Sequence, residues 1–154
     1  MVEDNKVVVF FTSVEEFGLP VQNVISIERY QQVKSIPHMP KYMVGVLTIR
    51  GELVPIVDTS IILFNKSVEV TDKTRIIVTK TDTLSVGLIV DDAKEILDIA
   101  MDQIKQLNLT YQVSPYITGV ATLDGRLVTL LEPTKLFEAL EGFSNVRDHI
   151  HSHQ

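Results

Sequence analysis

The chain has 154 residues, a formal net charge of −6 and no cysteine. The missing cysteines exclude disulfides, thiolate metal sites and cysteine nucleophiles, and the acidic balance argues against a nucleic-acid partner, which would need clustered Lys and Arg. Apolar residues make up 45% of the chain, but their longest runs have the length of strands, so we expect no membrane insertion. The first five residues are acidic and lack the features of a signal peptide, which predicts a cytoplasmic protein.

Short apolar runs separated by turns fill the first part of the chain. Residues 7–12 are β-branched and aromatic, as in a strand that is buried on both faces. A second strand begins at Phe17, and Pro20 places it at a sheet edge or at its own end. Residues 21–27 fit either a helical turn or a twisted strand, and residues 33–36 predict another short strand.

The stretch from Gly45 to Asp58 predicts a β-hairpin. Two apolar runs flank the pair Arg50-Gly51, which has the character of a tight turn. Asp58 and the residues after it offer N-caps for a short helix that reaches Phe64. This hairpin is the stretch around which the rest of the chain is organised.

The second part of the chain follows a polar stretch at residues 65–74. Strands are predicted at 75–80 and 84–90, and a helical turn is predicted within residues 101–107. A final helix begins at Pro133, since the first position of a helix tolerates proline.

Two stretches of the first part recur in the second. The hairpin Gly45–Asp58 matches Gly119–Glu132, and the stretch Gly18–Ile27 matches Gly87–Ile96 in the same order. This recurrence predicts a duplicated architecture. Each unit has roughly sixty residues, which is enough for a five-stranded barrel braced by its twin.

Arg50 departs from the preference of its turn. Its counterpart in the second hairpin is Asp124, and Asp-Gly is a favourable turn pair. Arginine brings no such benefit, although a type I turn with Gly51 in the left-handed region would accept it. Exceptions of this kind are expected at functional sites, so Arg50 is a candidate binding residue, with a solvated turn arginine as the alternative.

The sequence contains no pattern typical of a catalytic site or a phosphate loop. Asp91, Asp92 and Glu95 could hold a hard cation, but adjacent carboxylates on a strand point to opposite faces, which favours a solvated edge. Three histidines alternate near the end of the chain: His149, His151 and His153. They could bind a transition metal weakly if the segment were extended, but we expect a disordered tail. We assign no catalytic residue, no metal and no cofactor.

Six motifs follow one another in a fixed order along residues 7–140. They are Val24-Ile-Ser-Ile27, Ile36-Pro37, Gly45-Val-Leu-Thr-Ile-Arg-Gly51, Pro55-Ile-Val-Asp58, Val86-Gly-Leu-Ile-Val-Asp91 and Gly119-Val-Ala121. Together they resemble the CheW chemotaxis coupling proteins. The resemblance implies an all-β fold with a few short helices, built from two intertwined five-stranded SH3-like β-barrel subdomains.

The resemblance also implies a domain organisation. We expect a single CheW-like domain over residues 1–154, with one subdomain at about 12–70 and the other at about 74–141. The N-terminal strand at 7–11 pairs with either barrel in this scheme, and residues 142–154 form a frayed tail.

By resemblance, the protein is a non-enzymatic adaptor. It joins the regulatory domain of the CheA histidine kinase to the cytoplasmic tip of chemoreceptors, the methyl-accepting chemotaxis proteins, and is recruited to membrane receptor arrays. The implied receptor-binding residues are Arg50, Val24 and Ile27. The implied kinase-binding residues are Gly45, Gly51, Ile49 and Leu53. Family members often carry Glu where Ser26 stands, and Glu28 lies close by in this chain.

Two other functions stay open. One is a stand-alone regulatory module for a histidine kinase pathway outside chemotaxis. The other is a β-barrel that binds a small ligand or an oligonucleotide. A ligand barrel needs a polar-lined pocket, and an oligonucleotide barrel needs a basic, aromatic groove. With 14 Lys and Arg against 20 Asp and Glu, and no Trp, the oligonucleotide alternative is the weakest.

Overall fold

The computed structural model describes residues 6–105 and 115–152 of the chain. The strands are β1 (Lys6–Thr12), β2 (Glu15–Pro20), β3 (Val24–Arg29), β4 (Met43–Ile49), β5 (Glu52–Asp58), β6 (Arg75–Lys80), β7 (Ser85–Val90), β8 (Asp92–Asp98), β9 (Ile104–Lys105), β10 (Ile117–Leu123) and β11 (Arg126–Leu131). The α-helices are α1 (Thr59–Phe64), α2 (Pro133–Glu138) and α3 (Phe143–Ser152). No helix among the described residues is long and apolar enough to span a membrane.

The strands form two sheets, each wrapped around its own apolar core. Barrel 1 is the five-stranded sheet, with strand order β3-β6-β7-β5-β4. Barrel 2 is the six-stranded sheet, with order β8-β1-β2-β11-β10-β9, in which β9 has only two residues. Each sheet is antiparallel apart from one parallel pair, β5 with β7 in barrel 1 and β2 with β11 in barrel 2. The predicted mainly β fold with a few short helices and two β subdomains is confirmed.

The two halves of the chain exchange hairpins. The β1–β2 hairpin belongs to the first half but lies in barrel 2, and the β6–β7 hairpin of the second half lies in barrel 1. The barrels therefore do not follow the expected ranges 12–70 and 74–141, because each range contributes strands to both sheets. The N-terminal strand pairs with β2 and β8, which places it in barrel 2.

The duplication appears again where each hairpin leads into its helix. The backbone N–H of Asp58 donates to the carbonyl of Tyr42 at 2.8 Å, and that of Glu132 donates to the carbonyl of Tyr116 at 2.9 Å. Each acidic side chain then accepts the amides two and three positions further on and so caps the helix that follows. The predicted cap at Asp58 and the predicted Pro133 at the start of α2 are both confirmed.

Three apolar clusters fill the described part of the molecule. One lies inside barrel 1 and one inside barrel 2. The third and largest draws residues from both sheets and from α2 and α3, so it joins the barrels to each other. This arrangement accounts for the high apolar content of the chain. Since apolar side chains fill both barrel interiors, the structure argues against the small-ligand barrel.

The segment after residue 141 is more ordered than the sequence suggested. Residues 143–152 form α3, and its side chains Val146 and Ile150 are fully buried in the central cluster. The expected frayed tail is thus corrected to a helix over this range, because the apolar residues recur at helical spacing. The helical backbone also removes the extended segment on which the weak metal site depended. His153 lies outside the described residues, as do the side chains of His149 and His151.

The ambiguous stretches of the sequence resolve into mixed structure. Residues 21–27 contain both predicted alternatives, a 3-10 turn at Val21–Asn23 followed by β3. Residues 33–36 do not form a full strand and contribute a single bridge to β4. The helical turn expected within 101–107 is a 3-10 turn at Met101–Gln103, after which the chain enters β9.

Candidate functional site

The tip of the β4–β5 hairpin is a two-residue turn in the left-handed region. Ile49 pairs with Glu52, and the residues between them, Arg50 and Gly51, have φ angles of 54° and 79°. Positive φ at both central positions is typical of a type I′ turn, whose twist matches the strands it joins. The turn is thus not the type I turn that would accept arginine with only Gly51 in the left-handed region: Arg50 itself adopts a conformation that a residue with a Cβ atom rarely takes.

The side chain of Arg50 points largely into solvent. It is 69% exposed, and its Nη2 atom lies 3.9 Å from Oε2 of Glu28 on β3, at the outer limit of an ion pair. Exposed pairs of this kind contribute little to stability. The structure thus displays a guanidinium at a fixed hairpin tip with its hydrogen-bond donors largely available.

The other two predicted receptor-binding residues, Val24 and Ile27, both lie on β3 but differ in their exposure to solvent. Along this strand, half-buried residues alternate with exposed ones. Val24 is half-buried and packs against the central cluster. Ile25 and Ile27 are 42% and 44% exposed. Of the three predicted receptor-binding residues, Ile27 and Arg50 are accessible to a partner, whereas Val24 packs on the core side of β3.

Two of the four predicted kinase-binding residues lie inside the molecule. Ile49 is buried and packs in the core of barrel 1. Gly45 is also buried, and a Cβ atom added there would lie 2.0 Å from the carbonyl oxygen of Lys34. The backbones of Lys34 and Val46 exchange two hydrogen bonds of 3.2 and 2.8 Å beside it. Because Gly45 has no side chain, the backbone of the segment around Lys34 can pack directly against β4.

The other two predicted kinase-binding residues are at the surface. Gly51 is exposed, and a Cβ atom added to it would meet nothing within 4 Å. Leu53 is half-buried and lines an open, mainly apolar groove of about 420 Å³ beside β4. The apolar lining of this β4 groove is Ile36, Val46, Leu47 and Leu53, and its polar lining is Gln32, Lys34 and Thr48.

Sequence reasoning missed an ion-pair network in barrel 2. Arg126 on β11 donates to Glu16 on β2 through two of its nitrogens and to Glu95 on β8 through Nη2 at 2.8 Å. The three residues are far apart in the chain, and no spacing or motif could have linked them. The sequence groups Glu95 with Asp91 and Asp92 as a conceivable cation site, but in the structure Glu95 accepts from Arg126 and Asp91 accepts the backbone N–H of Ser13 at 2.8 Å. Among the described residues no cluster of three potential metal ligands occurs.

The network shifts the titration of Glu16. The hydrogen bond from the Arg126 guanidinium holds the pKa of the Glu16 carboxyl below its usual value of 4.5, and burial opposes this shift only in part. A lowered pKa in the folded state means that the contribution to stability is complete above the unfolded pKa and is lost as the pH falls through the folded pKa.

We therefore expect Arg126→Met to lower stability at neutral pH by about 1 kcal/mol and to flatten the acid side of the stability curve below pH 4.5. Urea unfolding from pH 7 to pH 3 measures both effects. Arg147→Met is a suitable control, because Arg147 lies 3.9 Å from the exposed Asp148. The hypothesis fails if both variants keep the acid dependence of the parent protein.

Comparison with known proteins places this geometry in a family. The model of the CheW-like domain matches residues 6–141. A probable chemotaxis protein CheW from Rhizobium etli is 31% identical over 143 residues, covering 90% of each chain. The chemotaxis protein CheW of Bacillus subtilis is 27% identical over 145 residues, covering 93% of each.

The fold has a solved counterpart. The crystal structure of the scaffolding protein TtCheW from Thermoanaerobacter tengcongensis superposes with a TM-score of 0.80 over 92% of both chains, at 23% sequence identity. The family match, the relatives and the shared architecture agree with one another. This chain belongs to the CheW-like family and is a chemotaxis adaptor of the kind that couples receptors to the CheA kinase.

Proposed function

We propose that this protein performs its coupling without catalysis, by holding the regulatory domain of CheA and the cytoplasmic tip of a chemoreceptor on two neighbouring surfaces of barrel 1. The observation that carries the proposal is the proximity of a charged surface and an apolar one on a single hairpin. Arg50 stands at its tip, and the β4 groove lies along its side. The protein acts in the cytoplasm and is recruited to receptor arrays at the membrane.

The receptor surface consists of Arg50 with the exposed face of β3. A guanidinium can bind a carboxylate through two parallel hydrogen bonds, which suits an acidic side chain on a receptor helix. The pair with Glu28 is long and exposed, so Arg50 gives up little when it turns to a partner. Ile27 supplies apolar contact beside it, and Val24 holds β3 in place from the core side.

The kinase surface is the β4 groove and the adjoining turn. Leu53 contributes to its apolar lining, and Gly51 leaves the turn open to the close approach of another backbone. Ile49 and Gly45 act from within by fixing the shape of the hairpin. Apolar contacts of this kind are the usual core of a protein interface.

Reconstitution of the signalling complex tests the adaptor function. Purified kinase and receptor are expected to give strong kinase activation only when this protein is added, and the protein alone is expected to transfer no phosphate. The proposal fails if the isolated protein catalyses a reaction that requires Asp58 or Asp91, or if the kinase responds to receptor equally well without it.

The two surfaces should respond differently to salt. Kinase binding is expected to change less than about threefold between 50 mM and 500 mM NaCl, because the groove is apolar, whereas binding of the receptor fragment should weaken because screening acts on the exposed Arg50. Titration calorimetry with separate kinase and receptor fragments measures both. A steep loss of kinase affinity at high salt would assign that contact to charge pairing instead.

A further inference from the structure

Two arginines face each other across neighbouring strands of barrel 1. Arg29 at the end of β3 pairs in register with Arg75 at the start of β6, and residues directly opposite in an antiparallel pair lie on one face of the sheet. Like charges in this arrangement destabilise a sheet. Neither guanidinium has a carboxylate within ion-pair distance among the described residues. Barrel 1 therefore keeps two adjacent positive charges that the described part of the chain does not neutralise.

Barrel 2 shows that the fold does not require such a pair. Its strand β8 has the place that β3 has in barrel 1, and β1 has the place of β6. At the same register Asp98 on β8 stands opposite Lys6 on β1, so the equivalent pair combines opposite charges. The tip residue Arg50 likewise has an aspartate, Asp124, as its counterpart. Barrel 1 thus carries arginine at two positions where barrel 2 carries aspartate.

The surroundings of the two arginines suit an anion. Nη1 of Arg75 donates to the backbone carbonyls of Asp72 and Thr74 at 2.8 and 2.9 Å, which fixes the guanidinium, and its other nitrogens donate to none of the described residues. Arg29 is exposed, and both arginines line an open cavity of about 390 Å³. The rest of the lining carries hydroxyl or carboxyl groups, on Tyr30, Thr71, Asp72 and Thr74. Within the described part of the chain, Asp72 forms no ion pair with either arginine.

The pair also continues the surface proposed for the receptor. The exposed residues of β3 are Ile25, Ile27 and Arg29, and alternate residues of a strand point to one face. Ile27 and Arg29 are about 6.8 Å apart along the strand, and four residues of an α-helix rise about 6 Å. Between them, Glu28 lies 3.9 Å from Arg50. A helix laid along β3 can therefore place an apolar side chain on Ile27 and, four residues away, an acidic side chain on Arg29.

We propose that the Arg29–Arg75 pair is a second acid-binding site for the receptor. It selects receptors whose helix carries Asp or Glu four residues from the apolar side chain that packs on Ile27. The inference rests on the proposed receptor surface and deepens it by naming the chemistry of the partner. One carboxylate shared by two guanidinium groups relieves the repulsion between them, whereas an amide or a basic side chain at that position leaves the repulsion in place.

Titration calorimetry with a fragment of a receptor tip tests the assignment. Arg29→Gln and Arg75→Gln should each weaken binding about tenfold, because each removes a charged hydrogen-bond donor. Single Asp→Asn and Glu→Gln changes along the fragment should identify one acidic residue whose neutralisation weakens binding to the parent protein about tenfold but hardly changes binding to Arg29→Gln. Asp98→Asn, the matched change in barrel 2, should leave receptor binding unchanged.

Arg29→Asp separates binding from folding. The substitution rebuilds in barrel 1 the opposite-charge pair that barrel 2 has, so the protein should melt about 1–3 °C higher than the parent. Binding of the receptor fragment should nevertheless weaken about tenfold or more, since the new carboxylate repels the acidic side chain of the partner. A loss of binding in a more stable protein does not come from a loss of fold.

Two results would overturn the inference: an Arg29→Gln variant that binds the receptor fragment like the parent, or a fragment in which no acidic residue is coupled to Arg29. Arg50→Ala distinguishes this failure from failure of the proposed receptor surface. If Arg50→Ala loses receptor binding while Arg29→Gln retains it, the receptor surface stands and the second acid-binding site is wrong. If both variants bind like the parent, the receptor surface itself lies elsewhere.

Discussion

Gly45→Ala is expected to destabilise the protein by about 3 kcal/mol or more, one of the largest effects of any single-methyl change in this chain. The added Cβ atom would lie 2.0 Å from the carbonyl oxygen and 2.6 Å from the carbonyl carbon of Lys34. Both atoms belong to backbone, so a side-chain rotation cannot relieve the clash. The segment must move away and give up its two hydrogen bonds to Val46.

The duplicated hairpin supplies matched controls for this substitution. Gly119 occupies the equivalent position in barrel 2, where an added Cβ atom would meet its nearest neighbours at 3.0 Å, so Gly119→Ala should cost about 1–2 kcal/mol. At the tip, Gly125→Ala meets nothing within 4 Å and should cost about 1 kcal/mol through its positive φ alone. Urea unfolding of the three variants measures the order. A Gly45 variant as stable as the Gly119 variant would contradict the close backbone approach.

The close backbone contact at Gly45 indicates that this glycine shapes the fold and does not itself contact the kinase. The resemblance implies a kinase contact for this residue, but in the structure its neighbour is the segment of the same chain around Lys34. Loss of kinase binding in a Gly45 variant would then accompany loss of fold. The sequence could indicate that some backbone comes close to this glycine, because that is what a glycine in a strand often permits. The identity of that neighbouring segment depends on a tertiary contact, which the residue pattern around Gly45 does not reveal.

The sequence predicted the local structure of each element much better than it predicted which of the two barrels that element joins. Both hairpins, the Asp58 cap and the start of α2 were evident, since turn and cap residues act over a few positions. The exchange of β1–β2 for β6–β7 was not evident. Both hairpins carry a similar apolar pattern, so the sequence does not distinguish which barrel each one completes; the structure places β1–β2 in barrel 2 and β6–β7 in barrel 1.

The candidate site shows the same limit. Arg50 stands out in the sequence because a tight turn favours a small polar residue such as Asp124 and arginine brings no such benefit, and the structure makes that disagreement larger by placing Arg50 at positive φ. Its partner Glu28 lies 22 positions upstream, and their contact depends on how β3 approaches the hairpin tip. The Arg126 network joins residues that are 110 and 31 positions apart and gives no sequence signal at all.

Arg50→Ala is expected to weaken binding of the receptor fragment about 30-fold, which corresponds to roughly 2 kcal/mol for an arginine anchor at an interface. The melting temperature should stay nearly unchanged, because alanine is strained at this φ much as arginine is, and the pair with Glu28 is long and exposed. Kinase binding should persist, since the substitution changes neither the apolar groove beside β4 nor Gly51, the turn residue assigned to the kinase surface.

Three further substitutions determine whether the guanidinium itself is responsible. Arg50→Lys retains the charge but not the planar pair of donors, so its receptor binding should fall between that of the parent and that of Arg50→Ala. Arg50→Gly should lose binding as the alanine variant does, yet melt about 2–4 °C higher, because glycine accepts the left-handed conformation. Asp124→Ala, at the equivalent tip of barrel 2, should bind receptor like the parent.

Separate isotherms with receptor and kinase fragments, together with thermal melts, measure these effects. If Arg50→Ala binds the receptor fragment as tightly as the parent protein, Arg50 is only a turn residue, and the receptor surface lies elsewhere.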